Sequence, residues 1–213
     1  MNEIVEKKLL CDMITMYKIK APELVRKARA GQFVILRALE HSERIPMSIG
    51  HLDTDGGILT IVIQEVGKST SELATMKEGD TLCDVVGPLG IPTHIEKYGT
   101  CVLLGGGVGI PPINPIARAL KEVGNEVITI IGGRTRELVI MENHFTDVVD
   151  QVIVTTDDGS YGIHGFVTTA LEQLLDDDKK IDFIMCVGPV PMMRNVCKTT
   201  APYEIPTWVS LNP

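Results

Sequence analysis

Leu103-Leu104-Gly105-Gly106-Gly107-Val108-Gly109-Ile110-Pro111-Pro112 is a glycine run set between two kinds of secondary structure. Upstream, residues 100–104 are uncharged and mostly apolar, the composition of a short strand buried on both faces. Downstream, Ile113, Ile116, Ala117 and Leu120 recur at helical spacing, and Gly124 stands where a helix end favours left-handed backbone. Pro111 and Pro112 fit a first helical turn, which has no N–H bonds to lose. A glycine turn between strand and helix lets bare backbone N–H groups approach an anion, and the helix dipole favours a phosphate there. The spacing departs from a strict Gly-x-Gly-x-x-Gly: counted from Gly105, the third glycine is replaced by Ile110. No acid ends the next strand either; residues 126–131 run into Gly132-Gly133-Arg134-Thr135-Arg136. A tight turn without a ligand is the simpler alternative. Four glycines in five positions exceed what such a turn needs, which favours phosphate binding.

The remaining text of the chain falls on either side of this turn. Up to about Val86 it reads as strands: residues 6–19 with a break near Cys11-Asp12, residues 31–36, and residues 58–66. Ala30-Gly31, the run from Asp53 to Gly57, and Glu78-Gly79-Asp80 supply the turns between them. Several short strands at that spacing predict a small antiparallel β-barrel, with a helical turn over residues 71–76. After Gly87-Pro88 the grammar changes. Strands over 126–131, 151–156, 182–187 and 207–211 alternate with helices around 138–145, 167–174 and 191–198, which predicts a parallel α/β sheet covered on both faces. The expected division is a domain over residues 1–97 and a second over 98–213. Asp176-Asp177-Asp178-Lys179-Lys180 reads as a solvated loop.

Composition excludes several classes of function. A net charge of −8 argues against nucleic acid or an anionic membrane surface as partner. No apolar run approaches a membrane span, and the N-terminus lacks the apolar core of a signal peptide. The five cysteines are scattered and contain no Cys-x-x-Cys pair, which suits a reducing cytoplasm and offers no metal site.

In an open parallel sheet, ligands bind outside the carboxyl ends of the strands. Gly132-Gly133-Arg134, Thr155-Thr156-Asp157-Asp158-Gly159-Ser160 and the run from Cys186 through Gly188, Pro189 and Met192 all fall at such ends. With the glycine turn they form an edge suited to an extended dinucleotide. Cys186 reads equally as a ring neighbour or a core thiol. In the first half, Arg44-Ile45-Pro46-Met47-Ser48 and Val66-Gly67-Lys68-Ser69-Thr70 each set hydroxyls and a cation beside a strand; taken singly, they read as surface loops.

Taken in order, these motifs resemble the ferredoxin–NADP⁺ reductase superfamily over nearly the whole chain. The likeness is greatest to the electron-transfer subunit of dihydroorotate dehydrogenase B and to the small subunit of NADH-dependent ferredoxin:NADP⁺ oxidoreductase and its sulfide dehydrogenase relatives. The resemblance implies a flavin-binding barrel followed by a Rossmann-like nicotinamide-binding domain. It implies FAD as cofactor, with Pro46, Met47 and Ser48 against the isoalloxazine and Gly67, Lys68, Ser69 and Thr70 on the pyrophosphate. It sets Gly106, Gly107, Val108, Gly109 and Pro111 on the dinucleotide phosphates. Gly133 and Arg134 fall near the adenosine half, Thr156, Asp157 and Asp158 belong to the same motif set, and Gly188, Pro189 and Met192 lie near the nicotinamide. Two departures stand out. The superfamily's phosphate-binding arginine lies three residues before the Ser/Thr, a position held here by Ile45, so Arg44 is one place early. These subunits also continue into a cysteine-rich [2Fe–2S] segment, whose pattern none of the five cysteines supplies. The expectation is therefore a sequence truncated before that segment.

The implied function is transfer of hydride from NAD(P)H to FAD and of single electrons onward to an iron–sulfur or partner-subunit acceptor, with Ser48 near flavin N5. Arg134 and the missing ribose-binding acid lean towards NADP(H), and the related subunits towards NAD(H). Two alternatives remain at this stage: a flavin-less docking or nucleotide-sensing subunit, and a free-standing diaphorase.

Overall fold

The computed structural model describes residues 2–177 and 179–211. Asp178 of the acidic run, and the Asn212-Pro213 that closes the chain, lie outside them. The chain divides into two compact units, residues 1–94 and 95–213.

The first unit is antiparallel. Strands β1 (Ile4–Cys11) and β2 (Ile14–Lys20) form a hairpin that turns at Asp12-Met13. β2 pairs in turn with β6 (Ile58–Gln64), and β6 with β5 (His51–Asp53), giving a four-stranded sheet. β4 (Ile45–Ser48), β3 (Phe33–Arg37) and β7 (Asp84–Leu89) form a three-stranded one. Alternate residues of both sheets share one core: Ile4, Tyr17 and Ile19, Val34 and Leu36, then Leu59, Ile61 and Ile63. Two helices interrupt the strands. α1 (Pro22–Lys27) was not expected, although proline opens it, Glu23 sits in its first turn and Arg26 and Lys27 in its last. α2 (Lys68–Thr75) starts three residues before the expected turn, because Gly67 and not Thr70 ends the extended segment.

The second unit is a six-stranded parallel sheet in the order β11-β10-β9-β8-β12-β13. These strands are β8 (Thr100–Gly106), β9 (Glu126–Gly133), β10 (Gln151–Thr156), β11 (Ile163–His164), β12 (Phe183–Val187) and β13 (Thr207–Val209). Helices α3 (Ile110–Glu122), α5 (Val167–Asp176) and α6 (Val190–Thr200) cover it. Val102, Leu104, Ile128, Ile130, Ile184 and Cys186 pack with Val167, Ala170, Leu171, Met193 and Val196 of α5 and α6. The alternate residues Cys101, Leu103, Val127 and Ile131 are equally buried and belong to the opposite face, where α3 lies. Burial on both faces explains why these strands read as continuous apolar runs. Gly124 follows α3 at φ +85° and supplies the left-handed stop.

One expected helix is corrected. Residues 138–145 do not form a single helix: a 3-10 turn at Arg136–Leu138 and a short α4 (Asn143–Thr146) flank buried Ile140 and Met141. Met141 has φ +59°, which no helix accommodates.

Asp150 ties this unit together. Its carboxylate accepts from Lys121 Nζ at 2.5 and 2.7 Å and from the Val127 N–H at 2.7 Å, joining the end of α3 to the start of β9. The Lys121 hydrogen bond, then the Val127 N–H, hold its carboxyl below the usual range. A lowered folded value means that the stabilisation is complete above the unfolded pKa and is lost as pH falls through the folded one. Asp150→Asn should therefore lower the urea midpoint at neutral pH. The gap from the parent should close as pH drops below about 4; a gap independent of pH contradicts this role.

Candidate functional site

β8 is the first strand of the parallel sheet, and the chain builds outward from it in both directions, with β9 and β10 on one side and β12 on the other. The β8/β12 boundary is thus the topological switch point, where an open sheet leaves a crevice outside the carboxyl ends of its strands. The register brings the sequence motifs to that edge: Gly105 pairs with Val187, Gly106 with Gly132, and Gly133 with Thr156.

Three of the four glycines in the turn are closely packed, two of them against backbone. A Cβ on Gly105 would lie 2.8 Å from Ile113 Cδ1 and 2.9 Å from Ile110 Cα. One on Gly106 would overlap the Met192 sulfur, and one on Gly109 would overlap the Val187 carbonyl. Gly188 is closed in the same way, with Met192 Cε at 2.5 Å and Gly106 N at 3.3 Å. The β8–α3 and β12–α6 turns therefore touch backbone to backbone. Gly107 differs. It has φ +55°, and a Cβ there would meet nothing within 4 Å. Val108 beside it is exposed, as are Pro189 and Val190 across the switch point. Glycine number alone was thus a weaker sign of a ligand than the sequence suggested, and Gly107 is the glycine that faces open space. Pro111 is buried in the first turn of α3.

The loops after β9 and β10 are zipped to each other. Asp157 N–H donates to Gly133 O at 3.1 Å, and Asp158 N–H to Arg134 O at 3.2 Å. The Thr156 hydroxyl is fully buried; it donates to Tyr161 O at 2.7 Å and accepts from Tyr161 N–H at 3.0 Å. Asp158 accepts from the Ser160 hydroxyl at 2.6 Å and from its N–H at 2.9 Å, and the hydroxyl bond foremost holds its carboxyl below the usual range. Thr156 and Asp158 thus shape the loop, while the Arg134 and Asp157 side chains are exposed. Sequence reasoning missed Arg136, which lies over the Tyr161 ring at 5.1 Å, and Glu142, which accepts from Tyr161 OH at 3.0 Å. No motif links these residues; only the fold does. Cys186 is resolved as a core thiol: it is fully buried, and burial pushes its pKa up to about 12.

In the first unit, the two predicted loops are a strand and a helix start. Arg44 precedes β4, in which Ile45 and Met47 pack against the core. By strand alternation Pro46 and Ser48 belong to the other face. Arg44 Nη2 lies 2.8 Å from Asp84 Oδ2, an oxygen that also accepts from Arg37 Nε at 2.6 Å. Those contacts, Arg37's first, hold the Asp84 carboxyl below its usual value. Gly67 is extended, with open space where a Cβ would stand, and Lys68, Ser69 and Thr70 form the first turn of α2. The Thr70 hydroxyl closes that turn, accepting from Val66 and Gly67 N–H at 3.1 and 3.0 Å and donating to Gly67 O at 2.9 Å. Ser69 Oγ reaches Glu43 Oε2 at 3.5 Å, which brings the two motifs to one end of the unit.

Comparison with known proteins gives the family. Residues 103–198 match the model of the oxidoreductase NAD-binding domain. The chain is 44% identical over its full length to a dihydroorotate dehydrogenase B (NAD⁺) electron transfer subunit homolog of Thermotoga maritima, spanning 75% of that protein. It is 35% identical over 182 residues to the Streptococcus pneumoniae dihydroorotate dehydrogenase B electron transfer subunit, covering 83% of this chain and 69% of that one. The chain belongs to this electron transfer subunit family. Among solved structures, a chain of an NADH-dependent reduced ferredoxin-NADP oxidoreductase superposes over the whole chain and 76% of its own length, with TM-score 0.93 and 44% identity. Phthalate dioxygenase reductase shares the fold, with TM-score 0.77 at 19% identity, covering 98% of this chain and 66% of that one. The protein is thus an oxidoreductase subunit with a ferredoxin reductase-like fold. No helix among the described residues is long and apolar enough to cross a membrane.

The glycines divide by role, and stability measurements separate them. Gly109→Ala forces a methyl group into the Val187 carbonyl and should cost roughly 3 kcal/mol or prevent folding. Gly107→Ala should fold, at a cost of about 1 kcal/mol for its left-handed backbone. Equal urea midpoints for the two variants would contradict the division.

Proposed function

We propose that the chain is the FAD-carrying electron-transfer subunit of an NADH-dependent oxidoreductase. The observation that carries this reading is the switch-point edge, where Gly107, Val108, Gly188 and Pro189 surround the start of α3 and α6 in a member of an electron-transfer family. Pro111 and Pro112 carry no N–H and Ile110 N–H is taken by Gly107 O, so the backbone N–H groups of the Gly107-Val108-Gly109 turn, with open space at Gly107, are what suit the dinucleotide phosphates. Gly188-Pro189 offers flat backbone to a nicotinamide ring. Arg134 and Asp157 stand exposed where the adenosine half would extend.

The first unit fits a flavin dinucleotide. Three features suit its diphosphate: the N–H groups of the α2 first turn, which no carbonyl within the helix reaches, the Lys68 ammonium and the open space at Gly67. Pro46 and Ser48, on the outer face of β4, would lie along the isoalloxazine, with Ser48 holding a hydrogen bond near N5. Met47 would contribute from the strand between them, and Arg44, oriented by Asp84, would lie beside the phosphates. A bound flavin supplies the conversion of a two-electron hydride into single electrons; the chain supplies orientation and charge. An iron–sulfur cluster does not fit this chain's own thiols. Cys101 and Cys186 are buried, with pKa values pushed up to about 12, and no three potential ligands are grouped among the described residues. The acceptor is therefore assigned to a partner subunit or to a segment outside this sequence.

NAD(H) is preferred to NADP(H), supported by the names of the dihydroorotate dehydrogenase relatives. A cytoplasmic setting is supported by five cysteines outside any disulfide.

Purified protein should show flavin absorbance near 370 and 450 nm, approximately, bleached by anaerobic NADH. A colourless protein that takes up no FAD contradicts the reading and points to a docking subunit. Ser48→Ala should retain flavin but slow its reduction by NADH about tenfold, the worth of one hydrogen bond. An unchanged rate removes Ser48 from the site.

A further inference from the structure

α2 is only eight residues long, too short to hold its shape alone in water. Its far end is gripped by side chains from the four-stranded sheet. Lys7 Nζ, from β1, donates to Ala74 O at 2.5 Å and to Met76 O at 2.9 Å. Tyr17 OH, from β2, donates to Leu73 O at 3.2 Å in a buried setting. The Lys7 ammonium also lies 5.8 Å from the centre of the Tyr17 ring, and the Lys7 N–H donates to Glu78 Oε1 at 2.9 Å, so both partners are fixed in turn. Burial foremost, with the charge of Glu65, pushes the Tyr17 pKa up to about 12, so its phenol stays a donor across the working pH range. These donors add to the carbonyls at the helix's C-terminal end, where Leu73 O also accepts from Met76 N–H, and the cation matches the negative end of the dipole.

The helix carbonyls they hold, Leu73 O and Ala74 O, lie about 6 to 8 Å along the helix axis from the first turn. We propose that Lys7 and Tyr17 are positioning residues for the flavin diphosphate: by clamping the C-terminal carbonyls of α2 they fix its axis and aim the first-turn N–H groups of Lys68, Ser69 and Thr70. This inference rests on the flavin reading above. It assigns a binding role to two residues on strands that no flavin motif includes. Thr70 fixes the same helix at its other end through Val66 and Gly67, so the turn is held from both sides.

FAD affinity of the apoprotein, measured by fluorescence titration well below the unfolding transition, tests this, with hydrogen exchange of α2 amides read in parallel. Lys7→Met should weaken FAD about tenfold and speed exchange across α2, since it removes two charge-assisted bonds. Lys7→Arg, which keeps a cation and its donors, should restore most of the affinity. Tyr17→Phe, a single hydroxyl deletion, should weaken FAD about threefold, and it decides the matter alone if Lys7→Met fails to fold. A purely structural role would lower the melting temperature and leave the dissociation constant unchanged; that result overturns the proposal. If the parent protein itself binds no FAD, the flavin reading falls and takes this inference with it. That failure is distinct from parental binding that the variants leave intact.

Discussion

Backbone contact between two turns organises the second unit. Where the chain leaves β8 for α3 and β12 for α6, Gly109 lies so close to the Val187 carbonyl that a methyl group on it would have no room, while Gly106 and Gly188 are both covered by the Met192 side chain. This contact sets adjacent parallel strands at the point where the sheet's order reverses, and it brings two helix starts to one crevice. It also separates packing glycines from the one that remains open, Gly107. A fold that needed only a turn could place larger residues there; a fold that needs this approach cannot.

The two units use the same physical device in different settings. In the parallel sheet, α3 begins at the carboxyl edge because the crossover connection delivers it there. In the antiparallel unit, α2 begins beside β4 because Gly67 releases the chain from β6, and Thr70, Tyr17 and Lys7 then hold the resulting short helix. Each helix start lies beside a glycine whose Cβ position is open, Gly67 before the N–H groups of α2 and Gly107 in the turn whose N–H groups precede the prolines of α3. A diphosphate-bearing anion suits both.

Much of this was legible in the sequence, for identifiable reasons. Strands β8, β9 and β10 were readable because burial on both faces leaves apolar runs, and Gly124 marks the end of α3 by a conformation few other residues adopt. What escaped was either short or held by distant partners. α1 spans six residues, fewer than the two turns that periodicity needs. α2 was placed late because its first turn, Lys68-Ser69-Thr70, carries no apolar residue. Residues 138–145 carried helical spacing but bend at Met141, where left-handed backbone buries Ile140 and Met141. The Arg136–Tyr161–Glu142 contacts and the Lys7 grip on Ala74 join residues tens of positions apart, which no local pattern records. Four glycines in five suggested a ligand by number, whereas the fold assigns most of them to packing.

The most direct measurement is amide hydrogen exchange of the second unit with and without saturating NADH. Protection concentrated at Gly107 to Ile110 and Gly188 to Val190, spreading weakly to Gly133 and Arg134, is the expected pattern. Protection at the opposite, amino-terminal edge of the sheet, or none anywhere, would contradict a nucleotide site at the β8/β12 switch point.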